Sequence, residues 1–304
     1  MISETAKRNH EELFSNHEST LKDTDPELIE VFDNFAFDEV VSYGNLDKKT
    51  RLKVILSTLI ASQTLSEYKV MLSGALNIGV TPVEVKEILY QAVPYCGIAK
   101  VIDFIHATND VLMSRRVELP LERQSTTSPE TRFEKGLAVQ KAVFGEMIDT
   151  MYEESPEDEL HVQEYLSDNC FGDYYTRTGL DIKTRELLTF SMILSMGGCE
   201  PQLKAHVQGN VNVGNDKETL LSGLYDPPWR SPAVTRGGSS PCAQPSCTEP
   251  AKSESRMSPT RPSSIRPVQS YASRGPVSAA ATSGRTGRWN RARRAAGWVT
   301  RPSA

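Results

Sequence analysis

The sequence has little of what membrane, secreted and metal-binding proteins need. Its five cysteines and five histidines, in 304 residues, form neither a disulfide framework nor a metal-binding spacing. The most apolar segment, 54–61, is broken by Ser57 and Thr58 and is far shorter than the ~20 residues of a membrane helix. The first residues are polar and include no apolar leader. We therefore expect a cytoplasmic protein with no membrane partner and no metal.

Acidic and basic residues are divided unevenly along the chain. Residues 1–226 contain 21 Lys and Arg against 37 Asp and Glu, whereas residues 227–304 contain 13 against 2. An acidic first part argues against nucleic acid as its partner. Its glycines are scattered and form no phosphate-binding loop. Nucleic-acid and nucleotide-phosphate binding are therefore disfavoured for residues 1–226.

The composition changes abruptly at Pro227. Residues 227–304 have no Leu and no Phe, hold 11 of the 18 prolines, and contain 12 Arg but one Lys. Such a segment cannot bury enough apolar surface to offset its ordering entropy, so we predict an Arg/Pro/Ser-rich disordered tail. The abrupt change is also typical of an altered reading frame. The positive charge and the three tryptophans of this segment would also allow it to bind RNA. A frame change explains the same composition and is the stronger interpretation.

The first part of the chain repeats itself. The sequence LDKKTR at 46–51 recurs as LDIKTR at 180–185, and Asn-Ile-Gly at 77–79 recurs as Asn-Val-Gly at 212–214. The two offsets differ by one residue, which a single insertion explains. Two copies of one unit follow. We predict a first repeat over residues 1–116, a linker over 117–133 and a second, truncated repeat over 134–226.

Each repeat has the pattern of helices. Asp47 and Asp181 stand where N-caps are expected, each before a helix that is apolar nearly all round and should therefore be central. Residues 81–84 (TPVE) are typical of a capped helix start with proline at its first position. Residues 133–151 predict one linking helix. No segment alternates with the period of a strand, so the fold class is all-α.

The densest group of reactive side chains lies at residues 197–206 (GGCEPQLKAH). Cys199 and His206 are seven residues apart, which places both on one face of a helix. A cysteine at a helix start is favoured as thiolate, and a histidine on the same face can accept its proton. Glu186, on the preceding helix, can orient or charge that histidine. These three residues form the predicted catalytic group.

At this point the sequence resembles the carboxymuconolactone decarboxylase family, which includes alkylhydroperoxidase D. The matching segments are 185–187 (REL), 198–200 (GCE), 205–206 (AH) and 212–214 (NVG). The resemblance extends over residues 30–115 and 135–224. It implies an alkylhydroperoxidase-D-like helical repeat in two copies, with no cofactor, a small-molecule substrate and assembly into a homo-oligomer.

The resemblance implies two alternative activities. The peroxidase branch reduces hydroperoxides with a Cys-x-x-Cys pair assisted by His and Glu. Cys199 occupies the first cysteine position, but Gln202 occupies the second. An oxidised Cys199 would then need another thiol, such as Cys170 or Cys96. We expect a peroxiredoxin-like, antioxidant thiol activity at Cys199 as the first hypothesis.

The second hypothesis is the activity of the decarboxylase branch of the family. Its members act on a lactone acid by proton transfer without a cofactor. His206 would transfer the proton, and Arg185 or Lys204 would bind the carboxylates of the substrate. A third hypothesis is a family member without catalytic activity.

Plainer interpretations remain for the same residues. Cys199 is also explained as an ordinary buried thiol, and His206 as a histidine held by a carboxylate. The recurrence of Arg51 as Arg185 favours a structural salt bridge. In the first repeat a threonine and Met71 replace the cysteine and the histidine, so that copy is expected to be a scaffold.

Overall fold

The computed structural model describes residues 1–15 and 19–225, and within these every regular element is a helix. The predicted all-α class is confirmed. The tail predicted for residues 227–304, disordered or out of frame, lies outside the described residues. The α-helices are α1 Glu4–Leu13, α2 Leu21–Thr24, α3 Pro26–Asn34, α4 Lys48–Ala61, α5 Leu65–Asn77, α6 Pro82–Cys96, α7 Ile98–Ser114, α8 Arg132–Phe144, α9 Met147–Glu154, α10 Leu160–Tyr165, α11 Ile182–Met196, α12 Glu200–Asn212 and α13 Lys217–Tyr225.

The two repeats share their internal contacts as well as their motifs. Asn77 at the end of α5 donates its side-chain N–H to the carbonyl of Leu13, and Asn212 at the end of α12 donates to the carbonyl of Val143, both at 2.8 Å. Each repeat also has a π-helical segment, Phe35–Glu39 in the first and Leu166–Tyr175 in the second. The correspondence between the two repeats therefore extends back to α1 in one copy and to α8 in the other.

Helices α4 and α11 pack against each other at the centre of the fold. Residues 51–61 are all buried, and so are residues 185–193, because both helices are apolar on nearly every face. Asp47 caps α4 by accepting the N–H of residues 49 and 50, and Asp181 caps α11 by accepting that of Thr184. The predicted caps and the central position are confirmed.

Helix α6 begins with the predicted capping box. The Thr81 hydroxyl accepts the N–H of Glu84 at 3.2 Å, and the Glu84 carboxylate accepts the N–H of Thr81 at 2.8 Å. Helix α6 packs on α4 of its own repeat and on α11 of the second repeat. Its buried side chains therefore reach the second repeat.

The single linking helix predicted for residues 133–151 is wrong. Helix α8 ends at Phe144 because Gly145 adopts φ 67°, a left-handed conformation that suits glycine and turns the chain. Helix α9 then starts at Met147, whose side chain is 52% exposed rather than directed inward. Apolar periodicity continues across the break, so the pattern alone suggests one helix.

Two features are absent from the part of the chain that the structure describes. None of its helices is long and apolar enough to cross a membrane. Nor do 1–15 and 19–225 bring together three or more His, Cys, Asp or Glu side chains that could hold a metal ion.

Helix α8 and the π-helical segment of the second repeat touch through their backbones. A Cβ added to Gly136 would overlap the carbonyl oxygen of Ser167 and the backbone of Gly172. We therefore expect Gly136→Ala to lower the free energy of unfolding by about 1–3 kcal/mol, measured by urea denaturation followed by helical circular dichroism.

The matched control is Gly223→Ala in α13. A Cβ there meets only the side-chain ends of Leu187, at 3.3 Å, and Ser191, at 3.8 Å. Alanine also favours the helix over glycine, so we expect no loss of stability. Equal losses in the two variants would contradict the close backbone packing at Gly136.

Candidate active site

His206 and Glu186 form a buried pair between α12 and α11. His206 Nδ1 lies 2.9 Å from Glu186 Oε2, with 7% of the histidine and none of the glutamate exposed. Helix α12 can come this close because residue 209 is glycine: a Cβ there would lie 2.9 Å from the same carboxylate oxygen. Two of the three predicted catalytic residues are thus in direct contact.

A chain of hydroxyl groups ends on the other oxygen of Glu186. Tyr175 donates its hydroxyl to Oε1 at 2.7 Å, Tyr95 donates to Tyr175 at 3.1 Å, and the Cys170 thiol donates to Tyr95 at 3.6 Å. The Thr189 hydroxyl lies 2.7 Å from that of Tyr175. Every link of this chain is directed towards Glu186, so the carboxylate is stabilised as an acceptor.

Burial keeps the members of this chain protonated. Burial raises the pKa of Tyr95 and of Tyr175 well above their usual value, and the neighbouring Cys170 and Glu186 add to the effect at both rings. Burial raises the pKa of the Cys170 thiol to about 12. Cys170 is therefore a hydrogen-bond donor rather than a thiolate. A role for it in resolving an oxidised Cys199 is disfavoured.

Aromatic rings surround the imidazole of His206. The ring of Phe144 is 5.2 Å away and that of Tyr95 is 6.0 Å away, both edge to face. Apolar walls strengthen the electrostatic interaction of His206 with Glu186, because they exclude water. With Nδ1 turned to Glu186, the second ring nitrogen, Nε2, is the one left to act on a substrate.

Cys199 is the predicted site residue that does not join this pair. It occupies the N-cap position of α12 and is partly exposed. Seven residues of helix correspond to a rise of about 10 Å, so its sulfur starts well away from the ring of His206. Among the residues that the structure describes, no hydrogen bond links Cys199 to His206.

The chain is similar to known proteins over both repeats. The carboxymuconolactone decarboxylase family matches residues 26–110 and 161–224. A 4-carboxymuconolactone decarboxylase of Acinetobacter baylyi (strain ATCC 33305 / BD413 / ADP1) is 30% identical over 92 residues, which are 30% of this chain and 68% of that protein. The chain belongs to the carboxymuconolactone decarboxylase family. The resemblance inferred from the motifs, in two tandem copies, is confirmed.

The arginine of the second repeat that recurs from the first, Arg185, lies in a buried ion pair. Arg185 is fully buried, with its guanidinium 2.8 Å from the Glu87 carboxylate and 2.9 Å from the side-chain oxygen of Gln91, both on α6. Arg177 also pairs with Glu87 at 2.9 Å. This arrangement favours the salt-bridge interpretation. Lys204 is exposed on α12, and its role in substrate binding stays a prediction.

The first repeat has an apolar cavity at the position that His206 and Glu186 occupy in the second repeat. Leu52 stands in the position of Glu186 and Met71 in that of His206, and both line a cavity of about 460 Å³. The flanking phenylalanines are retained, since Phe14 packs on Phe37 edge to face as Phe144 does on residue 171. The first repeat thus keeps the walls of the site without its acid and base.

Sequence reasoning missed Tyr95, Tyr175 and the hydrogen-bonding role of Cys170. Tyr95 belongs to the first repeat and reaches the second because α6 packs on α11 and on the π-helical segment Leu166–Tyr175. No local motif marks such a contact. Tyr175 and Cys170 lie on the same π-helical segment, and that geometry is not marked by any local motif in the sequence.

The burial of Cys170 can be tested by alkylation. We expect iodoacetamide at about pH 8 to modify Cys199 quickly and Cys170 slowly in the native chain, because a pKa of about 12 lowers the thiolate fraction of Cys170 about 10³-fold. Peptide mass spectrometry measures both rates, and denaturant should make them similar. Rapid modification of native Cys170 would contradict the closed hydrogen-bond chain.

Proposed function

We propose that the second repeat catalyses proton transfer without a cofactor, as in the decarboxylation of a lactone acid, with His206 as the transferring group. The observation that supports this most is the 2.9 Å contact between His206 Nδ1 and the buried carboxylate of Glu186. A histidine oriented in this way is a common general acid or base. The relative from Acinetobacter baylyi is named for a decarboxylase activity.

His206 would act through Nε2. When the bond between the carboxylate carbon and the substrate breaks, CO₂ leaves and its bonding electrons stay on the substrate carbon. The N–H of the protonated imidazole at Nε2 then gives its proton to that carbon, and a new C–H bond forms. Water returns a proton to the imidazole in the next cycle. Electrons and protons balance with no oxidant or metal.

Glu186 would position His206. The carboxylate accepts Nδ1–H, which fixes the ring orientation and leaves Nε2 for the substrate. Tyr175, bonded to Oε1, in turn holds the carboxylate in place. Glu186 is therefore a positioning residue, while His206 is the catalytic one.

A hydroperoxide-reducing activity at Cys199 is the second candidate. Its support is the position of Cys199, partly exposed at the N-terminus of the 13-residue helix α12, where a peroxide can reach the sulfur. The thiolate would attack one peroxide oxygen, break the O–O bond and release an alcohol, leaving a sulfenic acid. Because Gln202 replaces the second cysteine and Cys170 is buried, the partly exposed Cys96 or an external thiol would reduce that sulfenic acid.

Removing the imidazole tests the first candidate. We expect His206→Gln to lower kcat for decarboxylation of 4-carboxymuconolactone by about 10²–10⁴-fold, measured as CO₂ release, because proton transfer is lost. Glu186→Gln should lower it less, since the ring remains. His161→Gln, at an exposed histidine, is the matched control and should retain activity. Full activity in His206→Gln would rule this mechanism out.

Changing the sulfur separates the two candidates. We expect Cys199→Ser to leave decarboxylation nearly unchanged but to abolish any consumption of tert-butyl hydroperoxide, because serine cannot form a sulfenic acid. Mass spectrometry after hydroperoxide treatment should show oxidised Cys199 only if the second candidate is correct. Loss of decarboxylation in Cys199→Ser would argue against His206 acting alone, and silence in both assays would indicate a non-catalytic member.

A further inference from the structure

A second cavity lies away from His206, between α6 and the segment that connects the repeats. Its volume is about 460 Å³, and it is bounded by α6, residues 119–124, Asn109 of α7 and Arg177. The size suits a small organic molecule. Nothing in the proposed reaction uses this cavity.

Lys86 is a buried cation in the wall of this cavity without an anionic partner. Its side chain is bonded to the neutral amide oxygen of Asn109, and the residue is 9% exposed. Within residues 1–15 and 19–225, no carboxylate lies at ion-pair distance from its ammonium group. The neighbouring Glu87 is already paired with Arg177 and Arg185. Burial lowers the pKa of Lys86, and no anion offsets that effect.

Lys53 shows what the chain does elsewhere with a buried lysine. Lys53 is 8% exposed, close to the value for Lys86, and its ammonium pairs with the Glu84 carboxylate at 3.0 Å. Burying a cation without a counter-charge is unfavourable, whereas a paired one is tolerated. Lys86 therefore lacks a counter-charge, and a bound anion would supply it.

The rest of the cavity wall combines positive charge with apolar surface. Arg177 stacks on the ring of Tyr90 at 5.0 Å, and the exposed Arg123 and Glu122 lie at the rim. The apolar part of the wall comes from Val83, Leu119, Pro120 and Leu121. An inorganic ion would leave these side chains without contact, whereas an organic carboxylate would use both parts of the wall.

We infer that this cavity binds a small organic carboxylate, with its anionic group on Lys86 and its apolar body against Tyr90 and the 119–121 segment. The site is separate from the His206 pair. It does not depend on which reaction, if any, the second repeat catalyses. The ammonium group supplies a charge-assisted hydrogen bond, and the apolar wall selects organic over inorganic anions.

Benzoate tests the site, with its neutral analogue benzamide and inorganic phosphate as comparison ligands. We expect benzoate to bind the full chain in calorimetry and to raise the midpoint of thermal unfolding by ~2–4 °C, with little effect from benzamide or phosphate. Lys86→Met should weaken benzoate binding about 10- to 100-fold. Without ligand, this variant should unfold at the same temperature as the parent or higher, because an unpaired buried charge is removed.

Lys53→Met is the matched control. It removes an equally buried but paired lysine, so it should unfold at a lower temperature and still bind benzoate. Leu121→Trp fills the cavity and retains Lys86, and it should also prevent benzoate binding. This variant tests the site even if Lys86→Met does not fold. Absence of benzoate binding to the parent chain, equal binding to Lys86→Met, or equal binding of benzamide would overturn the inference.

Discussion

The packing of the second repeat depends on the hydrogen bonds that the buried carboxylate of Glu186 accepts. One oxygen accepts from His206 and the other from Tyr175, and no part of the side chain is exposed to water. A charge in that position is tolerated only when donors surround it, because its hydration is lost. Helix α12, the π-helical segment and α6 must all supply or support those donors. The close approach at Gly209 follows from the same requirement.

The first repeat takes part in this arrangement although it lacks the acid and the base. Helix α6 contributes Glu87 and Gln91 to the guanidinium of Arg185, and Tyr95 to the hydroxyl chain that ends on Glu186. Removing one partner of a buried ion pair is strongly destabilising, because the other charge stays buried without compensation. The duplicated unit is thus bound to its copy, and a second repeat on its own would leave Arg185 unpaired.

The sequence was most informative where the physics is local. Asp47, Asp181 and the box at residues 81–84 act through neighbours three residues away, and the all-round apolar character of α4 and α11 already implied central burial. The pairing of Glu186 with His206 was anticipated from motif order. Motif order could not show that Cys199 lies apart from His206. Two helical turns put both residues on one face, but they also separate them along the helix axis.

What could not be anticipated depends on long-range packing or on a single backbone angle. Tyr95 meets Tyr175 across 80 residues of sequence. The break between α8 and α9 rests on the left-handed conformation of Gly145, which the continuing apolar pattern conceals. In the same way, the missing counter-charge of Lys86 appears only in the structure, where the neighbouring Glu87 is paired with Arg177 and Arg185.

The π-helical segments at Phe35–Glu39 and Leu166–Tyr175 bear on the history of the molecule. A wide turn of this kind is intrinsically less favourable than α-helix and persists where surrounding contacts retain it. It occurs at the same place in a copy with an acid–base pair and in a copy without one. The simplest descent is that the ancestral unit already had this turn before it was duplicated, so both copies retain the turn although only one has the pair of His206 and Glu186.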